Sequence, residues 1–269
     1  MTELKGKGPF ISAEDIASLQ QAGRHVVILA VVSDAKDDNP LRIEGAIDVD
    51  LASDLAGPGD GAQGARPLPA VVKLQQAARR WGLRNDTIVV AYDNGNGFAA
   101  ARAWWTLTWA GVRQVYILDG GLAAWTLLGL PVSREHPKPP AEGDIVLTAG
   151  NLPVLDADGA FRLAGQNKLF DARAEDVFAR GHIPGAINVS AASSRGTDGR
   201  LLPIAQLRDR LAPIIGGDEQ EIGVYCGSGV SAAYQIAALA ALGRLASLYP
   251  GSWSAWSADP DRPIGIATG

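Results

Sequence analysis

The residue best placed for covalent chemistry is Cys226, the only cysteine in the sequence. It ends the apolar run 222–225 and is followed by the loop Gly227-Ser228-Gly229-Val230-Ser231. Glycines in such a loop allow backbone N–H groups to turn towards one point, as in anion-binding nests. Helical sequence follows at once, so the positive end of a helix dipole would face the sulfur. We therefore predict a loop that favours the nucleophilic thiolate of Cys226.

The elements that position Cys226 occur a second time, in the first half of the chain. Each half has an apolar strand pattern, a glycine-containing turn, a helical stretch, a second strand and a closing segment that contains tryptophan. Cys226 corresponds to Asp93, 133 residues earlier, and Trp256 corresponds to Trp125, 131 residues earlier. Copies of about 130 residues are too long for a solenoid repeat and indicate a duplicated domain.

Short apolar strands alternate with helical patterns in both halves, which predicts an α/β fold. We expect two tandem domains, each a parallel sheet with helices on both faces. Three prolines between Ser133 and Gly143 predict an extended, semi-rigid connector. The expected N-terminal domain covers residues 1–135, the linker 136–149 and the C-terminal domain 150–269. Ligands of open α/β sheets bind beyond the carboxyl ends of the strands, and Cys226 stands at such an end.

The composition narrows the functional classes. The chain has 269 residues, 47% hydrophobic and 20% charged, as in an ordinary globular protein. No signal peptide and no bilayer-spanning stretch is recognisable, so we expect a cytoplasmic protein with no membrane partner. A net charge of −5 argues against a nucleic-acid partner. One cysteine and the scattered His25, His136 and His182 lack metal-ligand spacing, so we expect no metal and no cofactor.

Several separated motifs resemble those of the rhodanese-like sulfurtransferases. The loop from Cys226 to Ser231 resembles the family's six-residue active-site loop, in its 3-mercaptopyruvate sulfurtransferase version. Residues 178–186 resemble the His-Ile-Pro-Gly-Ala signature, and residues 249–256 resemble the closing signature with Ala255 in place of glutamate. The resemblance spans both halves of the chain.

The resemblance implies a two-step transfer of sulfur. The Cys226 thiolate would take sulfane sulfur from a small anionic donor, leaving a persulfide. A thiol acceptor, such as a small thiol or a thioredoxin-like protein, or cyanide would then remove the outer sulfur. The substrate would be bound by the loop, and the N–H groups there would stabilise the developing charge. The resemblance therefore implies that the substrate-binding residues include Gly227, Ser228, Gly229, Val230 and Ser231.

Arg173 is the residue that the resemblance assigns to the anionic end of the donor. It ends the segment Asp171-Ala172-Arg173, which matches a family strand end. The alternative for Arg173 is a surface ion pair with Asp171 or Glu175. Arg180 is a second candidate, with a solvated helix charge as its alternative.

The N-terminal half departs from the active pattern. Asp93 cannot carry sulfane sulfur, so the resemblance implies a non-catalytic N-terminal domain that shapes the cleft. Phe98 would line that cleft or belong to the core. Arg42 stands where the mercaptopyruvate group has a histidine, so a Ser-His-Asp relay cannot be transferred. Positive charge from Arg42 would suit thiosulfate, which leaves 3-mercaptopyruvate favoured and thiosulfate as the alternative donor.

Three readings compete with sulfur transfer. Residues 95–100 fit the dinucleotide fingerprint G-x-G-x-x-A, with Asp119 at the end of the next strand. A cysteine phosphatase would place an arginine after its nucleophile, and none lies between Cys226 and Tyr234. A non-enzymatic rhodanese-like binding module fits the first half better than the second, because the second keeps its cysteine.

Overall fold

The computed structural model describes residues 8–33, 41–135, 138–215 and 221–266. The strands are β1 Phe10–Ile11, β2 Val26–Val32, β3 Arg42–Ile43, β4 Ile47–Asp50, β5 Ile88–Tyr92, β6 Val115–Leu118, β7 Val132–Ser133, β8 Leu169–Asp171, β9 Ile187–Asn188, β10 Gly223–Tyr225 and β11 Ser247–Leu248. The helices are α1 Ala13–Gln21, α2 Val71–Arg80, α3 Phe98–Trp109, α4 Gly121–Leu127, α5 Ala157–Ala164, α6 Glu175–Arg180, α7 Ile204–Arg210, α8 Ala212–Ile215, α9 Ser231–Ala241 and α10 Ser252–Trp256, with a 3₁₀ helix over Ala191–Ser194.

The two halves form two parallel sheets of matching order. The first has the order β1-β6-β5-β2-β4 and the second the order β11-β10-β8-β9. A parallel bridge from Val154 to Leu248 extends the second sheet where β1 extends the first. The antiparallel pair β3–β7 likewise has a counterpart in the bridge between His182 and Gly265. The predicted tandem α/β fold is confirmed.

The central strands and helices are apolar because they are covered on both sides. All five residues of β5 are buried, as expected for a strand inside a parallel sheet. Helices α3 and α9 pack against one another as well as against their own domains. Both are therefore buried around nearly their whole circumference, and one hydrophobic cluster runs through both domains. The carboxyl ends of β5 and β10 thus lie close to the domain interface.

Matching side chains hold the corresponding turns of the two domains. The Tyr92 hydroxyl accepts the Ile43 N–H at 3.0 Å, and the Tyr225 hydroxyl accepts the Ile183 N–H at 3.1 Å. Burial raises the pKa of Tyr92 to about 12 and raises the pKa of Tyr225 further. The closing tryptophans also match, each donating its indole N–H to a proline carbonyl: Trp125 to Pro131 and Trp256 to Pro263.

The connector is extended, as predicted, and lies against the N-terminal domain. The Gly143 N–H donates to the Arg79 carbonyl at 2.8 Å, and the Leu147 N–H donates to the Gln75 side chain at 2.9 Å. Ile145 and Leu147 are buried. Residues 136–137, which include His136 and the first part of the predicted linker, lie outside the described residues. The predicted domain bounds stay a prediction.

Candidate active site

Cys226 follows the last residue of β10, and its sulfur lies beneath the loop that leads to α9. The Gly229 N–H donates to the Cys226 Sγ at 3.1 Å. The side chain is 2% exposed, and the neighbouring Gly227, Ser228 and Val230 are half-buried. The sulfur thus accepts a loop amide, and Cys226 lies five residues before Ser231, the first residue of α9.

A buried serine with an unusual backbone holds the amide of Cys226. Ser252 has φ of 52°, in the left-handed region, and its Oγ accepts the Cys226 N–H at 3.2 Å. The same hydroxyl donates to the Tyr249 carbonyl at 2.9 Å. The corresponding residue of the N-terminal domain is Gly121, with φ of 57°. A left-handed non-glycine residue costs conformational energy, and here the serine hydroxyl positions the cysteine backbone.

The remaining loop residues contact both domains. The Gly227 carbonyl accepts the Ser254 N–H at 2.9 Å, within the C-terminal domain. The Ser228 Oγ accepts a hydrogen bond from Arg66 Nη1 of the N-terminal domain at 3.2 Å. Val230 lines the cleft between the domains, and Ser231 begins α9.

The cleft beside the loop has a volume of about 560 Å³ and is walled mainly by the N-terminal domain. Its lining includes Arg42, Arg66, Asp93, Phe98 and Val230. Phe98 also packs against the hydrophobic cluster, so it has both of the roles considered for it. Arg66 brings a positive charge next to the loop of Cys226, and the sequence pattern did not predict it.

Arg102 on α3 is a second arginine that sequence reasoning missed. It is 1% exposed, and its Nη1 donates to the Gly229 carbonyl at 3.2 Å. Its Nη2 donates to the Arg66 carbonyl at 3.1 Å and to the Pro67 carbonyl at 3.4 Å. Burial lowers the pKa of Arg102 to about 10, and the negative charge of Cys226 opposes that shift.

The structure places Arg173 in a buried ion pair. Its Nε and Nη2 donate to the Asp171 carboxylate, and Nη2 also donates to the Gly181 carbonyl at 2.7 Å. Its guanidinium carbon lies 4.8 Å from the centre of the Trp253 ring. The ion-pair alternative is thus present, buried rather than at the surface. The substrate-binding role of Arg173 stays a prediction. Arg180 forms an exposed pair with Asp176 on α6.

The two residues at the family's histidine position differ between the domains. Arg42 is buried and forms a two-pronged pair with Asp48, at 2.7 and 2.9 Å. Its charge is therefore balanced at the cleft wall, which weakens the case for thiosulfate that rested on it. His182 stacks on Phe178 at 3.9 Å, and its Nδ1 lies 3.1 Å from the carbonyl of the same residue. His182 packs structurally.

Asp93 occupies the anion position of the N-terminal loop. Its Oδ1 accepts the N–H groups of Gly95 and Gly97 at 2.8 and 2.9 Å, and its Oδ2 accepts the Ala100 N–H at 3.0 Å. These amides are the ones that a dinucleotide pyrophosphate would need at the G-x-G-x-x-A segment. Because Asp93 occupies these amides, they are not available to bind a dinucleotide, which argues against a dinucleotide site.

The described ranges contain neither a metal-binding cluster nor a membrane-spanning helix. No cluster of three or more histidine, cysteine or carboxylate residues within these ranges could hold a metal ion. Among the described helices, none has the length and apolar character needed to cross a membrane.

Comparison with known proteins gives the class of the chain. The model of the Rhodanese-like domain matches residues 12–128 and 158–259. The chain belongs to the rhodanese family, as a tandem of two such domains, and its enzyme class is sulfurtransferase.

Its relatives carry two different donor names. The chain is 41% identical to "Putative thiosulfate sulfurtransferase SseB" of Mycobacterium tuberculosis, covering 96% of this chain and 97% of the relative. It is 42% identical to "Probable 3-mercaptopyruvate sulfurtransferase" of Pseudomonas aeruginosa, covering 84% of each. The crystal structure of the 3-mercaptopyruvate sulfurtransferase SseA of Escherichia coli matches with a TM-score of 0.78 at 28% identity, covering 91% of this chain and 99% of that one.

Proposed function

We propose that the chain moves sulfane sulfur from a small anionic donor to an acceptor through a persulfide on Cys226. The observation that carries this proposal is the hydrogen bond from the Gly229 N–H to the Cys226 Sγ, at the start of α9 and beside the interdomain cleft. A thiolate held by an amide and a helix dipole can attack sulfur without a neighbouring general base. The acceptor is a small thiol, a thioredoxin-like protein or cyanide, and the site is cytoplasmic.

The step on the cysteine conserves charge. The thiolate attacks the sulfane sulfur and an S–S bond forms. The bond between that sulfur and the rest of the donor breaks, and its electron pair leaves with the donor fragment. For 3-mercaptopyruvate the fragment is the enolate of pyruvate, which takes up the proton that the donor's mercapto group gives up; for thiosulfate it is sulfite. The persulfide left on Cys226 carries the negative charge that the thiolate carried.

Arg66 is the cleft residue that we assign to the anionic end of the donor, together with the predicted Arg173. Arg66 lines the cleft and already reaches the loop through Ser228. A guanidinium at this position can hold a carboxylate or a sulfonate by charge-assisted hydrogen bonds. The loop residues Gly227 to Ser231 would contact the donor's sulfur end, with their N–H groups stabilising the charge that develops there.

3-Mercaptopyruvate is the favoured donor. The loop contains Gly227 and Ser228 where thiosulfate enzymes of the family carry basic residues, and the Arg42 charge is neutralised by Asp48. Thiosulfate is the alternative, because the Mycobacterium tuberculosis relative carries that donor in its name.

The donor is tested by measuring kcat/KM for 3-mercaptopyruvate and for thiosulfate with cyanide as acceptor. We expect turnover with both and a higher kcat/KM for 3-mercaptopyruvate. A higher value for thiosulfate would overturn the donor preference. No sulfur transfer from either donor would overturn the proposed function itself.

A further inference from the structure

A positive charge lies buried at the domain interface without a carboxylate partner. Arg102 is 1% exposed, and it donates to three neutral backbone carbonyls. Within the described part of the chain no carboxylate pairs with it, and its Nε has no hydrogen-bond partner. An unpaired buried cation is costly, so a protein that keeps one has a negative group nearby or a use for the charge.

The loop of Cys226 is the part of the catalytic domain that Arg102 contacts. A negative charge on Cys226 would raise the pKa of Arg102 against the effect of burial, whereas the neighbouring Arg66 lowers it. The link is also structural, because Arg102 donates to the carbonyl of Gly229 and the amide of the same Gly229 donates to the Cys226 Sγ. A Cβ on Gly229 would lie 2.8 Å from Arg102 Nη1, so the arginine sits directly against the loop.

The other half of the molecule has a neutral side chain in the corresponding position. Helix α9 presents Tyr234 to the N-terminal loop, and a Cβ on Gly97 would lie 3.3 Å from its ring. Tyr234 and Arg102 therefore occupy matching places, each against the glycine of the opposite domain's loop. The loop beside Tyr234 holds Asp93, which is already satisfied by three amides. The loop beside Arg102 holds a sulfur with one amide.

We propose that Arg102 is the countercharge of the Cys226 sulfur and a positioning residue for its loop, so that the non-catalytic domain completes the thiolate site of the catalytic domain. A fixed cation suits this chemistry because thiolate and persulfide each carry one negative charge. The guanidinium can then stay in place through both half-reactions, while its bond to the Gly229 carbonyl keeps the glycine amide directed at the sulfur. This inference rests on the proposed function only for its purpose, and its test needs no sulfur donor.

The test is the rate at which iodoacetamide alkylates Cys226 as a function of pH. The chain has one cysteine, so the signal reports on that residue alone. Arg102→Met removes the charge, Arg102→Lys keeps it, and Tyr234→Met is the matched change at the opposite loop. Arg66 is the other charged group at the loop and is left unchanged in all three variants.

We expect Arg102→Met to slow alkylation at neutral pH roughly tenfold or more and to move the pH profile upwards, because a nearby opposite charge favours the charged form. Arg102→Lys should keep the wild-type pH profile of alkylation, because it keeps the positive charge. Tyr234→Met should alkylate like wild type. Wild-type alkylation of Arg102→Met, or an equal loss in Tyr234→Met, would overturn the proposal.

If Arg102→Met fails to fold, the charge pair can be tested instead by the thermal midpoints of two Cys226 variants. Cys226→Ser leaves Arg102 without its countercharge, whereas Cys226→Asp restores a negative group there. We expect Cys226→Asp to have the higher thermal midpoint of the two. A higher midpoint for Cys226→Ser would contradict the charge pair.

Discussion

The loop after β5 and the loop after β10 occupy corresponding places in the two domains, with an aspartate in one and a cysteine in the other. In the N-terminal loop the Asp93 carboxylate takes the amides of Gly95, Gly97 and Ala100. In the C-terminal loop one amide, from Gly229, reaches the Cys226 sulfur. The corresponding loops therefore hold a carboxylate in one domain and a cysteine sulfur in the other.

The two loops also differ in the side chains that contact them from the opposite domain. Arg102 and Arg66 of the N-terminal domain donate hydrogen bonds to the loop of Cys226, at Gly229 and Ser228 respectively. The neutral Tyr234 ring of the C-terminal domain packs against the loop of Asp93, at Gly97. Two arginines of the N-terminal domain therefore contact the loop of Cys226, whereas Arg195 of the C-terminal domain lines a pocket together with Asp93 and Tyr234.

Exchanging the two loop residues gives the largest expected effect. Cys226→Ser should lower kcat/KM by at least about a thousandfold, as loss of a nucleophile does. Adding Asp93→Cys to that variant should not restore sulfur transfer, because the N-terminal loop has a tyrosine in place of Arg102. Activity is measured with 3-mercaptopyruvate and cyanide. A double variant that regained turnover would show that the two loops are equivalent.

Removal of the Arg66 charge, which lines the cleft, should give the second-largest effect. Arg66→Met should lower kcat/KM about 10- to 100-fold, mainly through a higher KM, because a hydrogen bond to a charged group contributes about 1.5–3 kcal/mol. Arg180→Met, at an exposed pair on α6, is the matched control and should leave both constants unchanged. A drop confined to kcat would argue against the assignment of Arg66 to the donor's anionic end.

Asp93 should matter for stability and little for the reaction. Asp93→Ala leaves three loop amides without their acceptor, and we expect a loss of about 1–3 kcal/mol in the free energy of unfolding, measured by denaturant titration. Sulfur transfer by the folded variant should stay within about twofold of wild type, which on the usual scale is under half a kcal/mol. A large loss of kcat in the folded Asp93→Ala protein would mean that the N-terminal loop takes part in catalysis.

Substitution of Ser252 should give the smallest effect, a change in stability. It tests the difference between Ser252 and its counterpart Gly121, which both have a left-handed backbone. Ser252→Gly relieves the backbone strain and loses the acceptor of the Cys226 N–H, whereas Ser252→Ala keeps the strain and loses the same acceptor. We expect Ser252→Ala to be the less stable of the two by about 1 kcal/mol. Equal stabilities would show that φ at this position costs nothing.

Much of the fold and the position of Cys226 within it could be predicted from local sequence. The strand after which Cys226 stands, the helix after it and the match to Asp93 depend on neighbouring residues and on a repeat that is visible in the sequence. Apolar periodicity and glycine positions report such features directly.

The arginines of the site could not be predicted in the same way, because their partners lie far away in the chain. Arg66 meets Ser228 across 162 residues, and Arg102 meets Gly229 across 127. One local signal for Arg102 exists: it is the single charged residue in the otherwise apolar helix 98–109. Arg173 shows the reverse, since its motif predicts anion binding while the fold turns its guanidinium onto Asp171.

The most direct test of the account is the mass of the intact protein after incubation with 3-mercaptopyruvate or thiosulfate and removal of the donor. We predict a protein heavier by one sulfur atom, with the added mass on Cys226, and its return to the original mass when cyanide or a thiol is added. A protein that keeps its original mass with both donors, with Cys226 unmodified, would contradict the central claim.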